Sequence, residues 1–222
     1  MTSRTRVKIC GLTRPQDVQA VVAAGADAVG LVFYPASRRL VSLKDAARLR
    51  ASVPAFVSVV ALFVNPDAAD VRRTIQSVQP DLLQFHGDET PAFCAQFDHR
   101  YLKAFRIGAP GLDTPEGVAA QCLQYPHASG WLFDSYSPAY GGSGRKFDQS
   151  LLSQVPRGQS HPVWVLSGGL SADTVGASIH TWHPHAVDIS SGVETAPGLK
   201  DAKKVQAFLD AVRLADETGR LE

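Results

Sequence analysis

The sequence predicts an α/β protein: a closed (β/α)8 barrel forming a single domain over residues 1–222. Three observations predict it. Eight short apolar runs recur along the chain, their starts 19 to 32 residues apart, about one strand–helix unit each. Most are rich in Val, Ile, Leu or Phe without strict alternation, which suits strands buried on both faces of a parallel sheet. Between the runs, apolar residues fall at helical spacing.

In chain order the runs are Val7–Cys10, Ala28–Phe33, Val57–Val64, Leu82–Phe85, Tyr101–Ile107, Trp131–Asp134, Val163–Ser167 and Ala186–Ile189. Val18, Val21 and Val22 mark a helix after the first run, and Gly25 is placed to stop it. Ser42 with Asp45 resembles a capping box opening the second helix. Asn65-Pro66, Thr90-Pro91 and Thr114-Pro115 read as caps followed by a proline pre-set for the first turn. Val71, Ile75 and Val78 form the stripe of a third helix. Another helix is expected to begin near Asp148, and Val205, Phe208, Leu209 and Val212 define the last. Eight strands alternating with about eight helices leave two closures. A doubly wound open sheet competes with the barrel, known as the TIM barrel. No GxGxxG follows the first run and no Walker pattern occurs, and the count of eight favours the barrel.

Composition narrows the function. The chain has 222 residues, 45% of them apolar and 19% charged, as in ordinary folded proteins. Lys and Arg number 22 against 21 Asp and Glu, a net charge of +1. That balance gives no electrostatic footprint for nucleic acid and no polybasic membrane patch. The opening MTSRTRVKIC lacks the apolar core of a secretory signal, and Val57–Val64, broken by Ser58, is far short of the ~20 residues of a membrane span. Cys10, Cys94 and Cys122 are odd in number and irregularly spaced, which fits neither a disulfide framework nor a zinc site. A reducing, cytoplasmic location is the expectation.

Barrel chemistry sits at the C-terminal ends of the strands. The seventh run ends in Ser167-Gly168-Gly169 and the eighth in Ser190-Ser191-Gly192. Glycines let backbone amides approach an anion, and loops after strands seven and eight are the usual phosphate site of such barrels. The glycine-rich Tyr140–Arg145 segment after the sixth run reads as a lid over the same phosphate. Cys10 closes the first run beside Gly11, just before a helix whose N-terminus is expected to favour thiolate. Cys94 and Cys122 fall in helical stripes and read as packing. Asp134 closes the sixth run after Trp131-Leu132-Phe133, where an acid is costly to ionise unless paired and so is suited to donating a proton. Asp188 lies within the eighth run and reads as structural. Arg38-Arg39 follows the second run, and either arginine pointing into the mouth would select an anionic substrate. His86 ends the fourth run, with packing, hydrogen bonding and catalysis all open.

With these residues assembled, the chain resembles the phosphoribosylanthranilate isomerases of tryptophan biosynthesis. The resemblance rests on Val7–Thr13, Gly25–Gly30, Phe33–Arg39, Phe63–Asn65, Gln84–Gly87, Asp134, Tyr140–Gly144, Phe147-Asp148, Leu166–Leu170 and Val187–Glu194. It covers almost the whole chain and is loose only over residues 98 to 130, apart from Lys103-Ala104. It implies an Amadori rearrangement of N-(5-phosphoribosyl)anthranilate to 1-(2-carboxyphenylamino)-1-deoxyribulose 5-phosphate. Asp134 would be the general acid that opens the furanose ring. Cys10, as thiolate, would be the general base at C2. Arg39 would bind the anthranilate carboxylate, and Gly142, Gly168, Gly169, Ser190, Ser191 and Gly192 would hold the phosphate, with His86 among the substrate-binding residues. No cofactor and no metal are implied. The expected partner is the phosphorylated small-molecule substrate, with a monomer favoured and a dimer open. Three rivals remain: a metal-dependent sugar-phosphate epimerase, for which the strand ends offer too few His and Asp ligands; a related isomerase acting also on the histidine-pathway ribotide, whose relatives carry Asp where Cys10 stands; and a non-catalytic barrel that binds a phosphorylated metabolite.

Overall fold

The computed structural model describes residues 4–137, 146–158 and 160–219. In order the elements are β1 (Arg6–Cys10), α1 (Pro15–Ala24), β2 (Ala28–Val32), α2 (Leu43–Ala51), β3 (Ser58–Phe63), α3 (Ala68–Val78), β4 (Leu82–Phe85), α4 (Pro91–Ala95), β5 (Tyr101–Ile107), α5 (Pro115–Leu123), β6 (Gly130–Ser135), a 3-10 turn (Gln149–Leu152), β7 (Val163–Leu166), α6 (Ala172–Trp182), β8 (Ala186–Ile189), a second 3-10 turn (Ser191–Val193), β9 (Glu194–Ala196), β10 (Leu199–Lys200) and α7 (Ala202–Thr218). Strands β1 to β8 pair in sequence order, all parallel, and β8 returns to β1 to close the barrel. The open sheet is thereby excluded.

Every apolar run became a strand, to within a residue or two at each end. The strand residues divide by parity. Val7, Ile9, Val29, Leu31, Leu83, Phe85, Phe105, Trp131 and Phe133 point outward into the large core shared with the helices. Cys10, Val32, Leu62 and Val64 form a separate cluster within the barrel, and Ala104, Leu132, Val165 and Ala186 form another. Alternation thus persists, but with apolar residues on both faces, so the runs read as continuous. The helices supply the outer layer. Val205, Phe208, Leu209 and Val212 are all buried in α7, and Val18 and Val21 in α1. Each such side chain contributes about 1.5–3 kcal/mol by leaving water.

Most capping expectations hold. Gly25 closes α1 in the left-handed region at φ 95°, and the hydroxyls of Ser42, Thr90 and Thr114 accept from the backbone amides of Asp45, Phe93 and Gly117. Asn65-Pro66 is a correction. Helix α3 begins at Ala68 with Asp67 in the cap position, and Asn65 adopts φ 46°. The Asn65 side chain accepts from the Asp88 amide, and its own amide donates to Glu89, so it ties two loops of the rim together. Among the described residues there are seven α-helices, and the helix expected at Asp148 is only a 3-10 turn capped by the Asp148 carboxylate. The β9–β10 hairpin was not foreseen: its strands are only three and two residues long.

Candidate active site

Parity and strand order place the site. Inward positions at the C-terminal ends of the strands open onto a cavity of about 450 Å³. Its lining includes Cys10 from β1, His86 after β4, Asp134 from β6, and Ser167 to Ser171 and Ser190 to Gly192 from the loops after β7 and β8. Arg39 reaches it from the loop after β2. At the ends of β3 and β5, Asn65 and Arg106 do not line it. Arg106 pairs with Asp88 at 2.9 Å, and Arg38 is exposed. Gly142 and the rest of the expected lid lie outside the described residues.

Cys10 and Asp134 stand on strands three places apart round the eight-stranded ring and face the same cavity. Cys10 is buried and reduced, as are Cys94 and Cys122. Room for its sulfur comes from Gly30, its register partner on β2. A Cβ there would lie 2.6 Å from Sγ, a distance that real side chains do not tolerate. The expectation that a helix N-terminus depresses this thiol is corrected: α1 starts only at Pro15, and burial pushes the Cys10 thiol up. Lys8 pulls against that rise, Asp188 adds to it, and Lys200 opposes it.

Asp134 is anchored by its own strand end, with Oδ1 accepting from the Ser135 amide at 2.8 Å. Its partner is neither Arg nor Lys. His86 Nε2 lies 3.1 Å from Oδ2, off the line that a hydrogen bond needs. On the other side of the ring, Gln84 is 3.0 Å from His86 Nδ1. With the Gln84 amide as donor, Nδ1 accepts and the ring proton sits on Nε2, facing Asp134. His86 Nε2 and Gln84 Oε1 are the two buried side-chain polar atoms without a hydrogen-bond partner among the described residues. Such atoms are rare in folded proteins, and His86 lines the cavity, so Nε2 is poised for a ligand or for Asp134.

Arg39 is held side-on by Glu194, with Nε 2.9 Å from Oε1 and Nη2 2.6 Å from Oε2. Lys200 bonds the same carboxylate at 2.7 Å and reaches the Ser190 carbonyl oxygen at 3.2 Å. Ser190 Oγ in turn donates to the Cys10 carbonyl oxygen at 2.9 Å. Burial pushes the Glu194 carboxyl up, but Arg39 and Lys200 outweigh it and hold Glu194 below the usual carboxylate range. The loop after β7 turns through Gly168 and Gly169 at φ 79° and 66°. A Cβ on Gly168 would stand 2.7 Å from the Ser135 amide nitrogen, so this loop is bound closely to the Asp134 strand end. Ser171 then caps α6, whose positive end borders the cavity and favours an anion there.

Four features escaped the sequence reading. Val32, Leu62, Val64 and Tyr34 form an apolar wall beside Cys10, signalled only by the inward parity of β2 and β3. Lys146 borders the cavity. Gln84 and the buried pair Lys8–Asp188 lie one inward position below His86, Cys10 and Ser190. Among the described residues no three His, Cys, Asp or Glu side chains group as a metal site, and no helix is long and apolar enough to cross a membrane.

Comparison with known proteins meets this geometry. The family model described as N-(5'-phosphoribosyl)anthranilate (PRA) isomerase matches residues 7–211. The N-(5'-phosphoribosyl)anthranilate isomerase of Bordetella petrii is 60% identical over 214 residues, covering 96% of this chain and 97% of that one. The crystal structure of the Thermotoga maritima phosphoribosyl anthranilate isomerase superposes with a TM-score of 0.84 at 37% identity, over 94% of this chain and 98% of that one. A structure of such an isomerase in complex with reduced 1-(o-carboxyphenylamino)-1-deoxyribulose 5-phosphate gives 0.81 at 34% identity with the same coverage. Monomers generated from the dimeric Thermotoga maritima protein also give 0.81, at 33% identity and the same coverage. A closed barrel with a thiol and an acid facing one glycine-rimmed cavity, matched over nearly its full length, belongs to the N-(5'-phosphoribosyl)anthranilate isomerase family.

Proposed function

We propose that the chain, acting as one barrel domain, catalyses the Amadori rearrangement of N-(5-phosphoribosyl)anthranilate in tryptophan biosynthesis. The observation that carries this reading is the meeting of Cys10, Asp134 and the β7 and β8 loops at one cavity. The substrate phosphate sits on the loops of Gly168, Gly169, Ser190, Ser191 and Gly192. The anthranilate ring lies against Val32, Leu62 and Val64, and its carboxylate takes the remaining face of the Arg39 guanidinium. Nε and Nη2 of that group are committed to Glu194.

Asp134 donates its proton to the furanose ring oxygen. The C1–O bond breaks and an iminium forms between C1 and the nitrogen. The Cys10 thiolate then takes the proton from C2. The electron pair moves into a C1–C2 double bond and neutralises the iminium, giving an enolamine that tautomerises to the C2 ketone. Protons and electrons balance without an oxidant or cofactor. The acid and the base are needed in opposite protonation states, which explains why they stand on separate strands with separate partners. His86, next to Asp134, holds the carboxyl or the freed oxygen through Nε2.

The three cysteines are all unpaired and buried, which supports a reducing, cytoplasmic setting. A monomer is the favoured assembly. Among the described residues, the exposed large apolar side chains Leu40, Phe56, Leu123, Val163, Leu199 and Leu214 are distributed over six different elements or loops. A dimer mass in light scattering would overturn that. The activity is tested by the fluorescence of phosphoribosylanthranilate made in situ. Its loss on adding the purified chain is expected, and an unchanged signal would refute the assignment.

A further inference from the structure

The catalytic thiol has a neighbour that the mechanism above does not use. Lys8 precedes Cys10 by two residues on β1, so both side chains point into the barrel. A buried lysine in a barrel interior is costly, and here it is only 4% exposed. Its ammonium bonds Asp188 on β8 at 2.8 Å, across a register in which Lys8 and Asp188 are direct partners. Asp188 itself lines the floor of the cavity. Gly30 on the next strand, lacking a Cβ, leaves the sulfur its room.

We propose that Lys8 is a positioning residue for Cys10: from beneath the thiol, and tethered by Asp188, its ammonium stabilises the thiolate that the reaction needs. The proposal rests on the reading of Cys10 as the base. The charges around the sulfur can be named. Lys8 on the same strand and Lys200 from β10 favour thiolate, and Asp188 on β8 opposes it. Arg39, in the loop after β2, also feels the sulfur's charge. Burial weakens the hold of Lys8 on its proton, but Asp188 and Cys10 outweigh it and keep the ammonium charged. Asp188 therefore does two opposed things. It holds Lys8 charged and in place, and it offsets part of the field that Lys8 exerts on Cys10. A buried ion pair gives little net stability, so stability alone does not explain its place under the reactive sulfur.

Opposed signs make the test specific. The pH dependence of Cys10 alkylation by iodoacetamide is read by mass spectrometry on the peptide carrying Cys10, in the full-length chain. Lys8→Met is expected to move the midpoint upward and slow alkylation at neutral pH by about tenfold or more, the effect of removing one adjacent charge. Asp188→Asn keeps an amide oxygen that accepts from Lys8, so the tether stays while the opposing charge goes, and it is expected to move the midpoint downward. A purely structural pair would shift both variants the same way or neither, and either result overturns the proposal. Should Lys8→Met not fold, Lys8→Gln, whose neutral amide still donates to Asp188, serves in its place; it must also raise the midpoint, and an unchanged midpoint refutes the proposal. Lys8→Arg, which keeps the charge, should restore the wild-type direction. The readout does not depend on turnover. If Cys10→Ser kept its activity, the base assignment would fail while the alkylation result still judged Lys8.

Discussion

On the β1 side of the mouth Cys10 stands over a buried ion pair, Lys8 with Asp188. On the β6 side Asp134 stands beside a hydrogen-bonded pair of side chains, Gln84 and His86. The difference fits the roles proposed for the two groups. A buried thiol proposed to lose its proton becomes charged, and a fixed charge beside it offsets part of that cost. A carboxyl proposed to donate a proton when the ring opens gains nothing from a cation, which would favour the ionised form. A histidine instead accepts or offers one hydrogen bond at a fixed edge. Acid and base thus differ less in exposure than in the charge of their supports.

The largest expected effect breaks the acid side. Asp134→Asn should lower kcat by about 10²–10⁴-fold, the usual contribution of one general acid, while binding of a phosphorylated product analogue stays nearly intact. Near-normal kcat would remove Asp134 from the mechanism. Next comes Arg39→Ala, expected to raise KM about tenfold or more with a smaller change in kcat, since one charge-assisted bond to the substrate carboxylate is lost. An analogue lacking that carboxylate should bind the variant and the wild type equally, and a preference for wild type would contradict the role. A smaller effect sharpens the acid side alone. Gln84→Leu should lower kcat a few-fold and change the His86 tautomer seen by 15N NMR, with Cys10 alkylation unmoved. A shifted alkylation profile would mean that the two supports are not separate. Smallest is a stability effect at Glu194. Its folded carboxyl is held low, so its contribution is full above the ordinary carboxylate range and is lost as pH falls through the depressed value. The stability gap between wild type and Glu194→Gln should therefore be widest near neutral pH and should shrink in acid. A gap independent of pH in denaturant titrations would show that the carboxylate charge is not what stabilises.

The barrel was legible because strand spacing and two-sided apolarity report directly on parallel β-structure. That Cys10, His86, Asp134 and the loops after β7 and β8 would gather at one cavity was legible because strand ends share one face of a barrel. The supports were not, because they depend on contacts between strands far apart in sequence. Asp188 was read as a structural residue facing the barrel, and its position agrees, but its pairing with Lys8 depends on the register of β8 against β1. The approach of His86 to Asp134 spans β4 to β6, and no local pattern encodes it. Arg39 was assigned to a substrate carboxylate, yet its side-on grip by Glu194 arises from β9, 155 residues away. Asn65 misled because proline after asparagine imitates a helix cap, whereas its left-handed backbone serves the rim.

The most direct measurement follows turnover and Cys10 alkylation in one sample of the wild-type chain. Cys94 and Cys122 are completely buried, so Cys10, at the cavity, is the thiol expected to react. Activity should fall in proportion to the fraction of Cys10 modified, and a bound phosphorylated analogue should protect both. Fully alkylated Cys10 with undiminished conversion of phosphoribosylanthranilate would contradict the account.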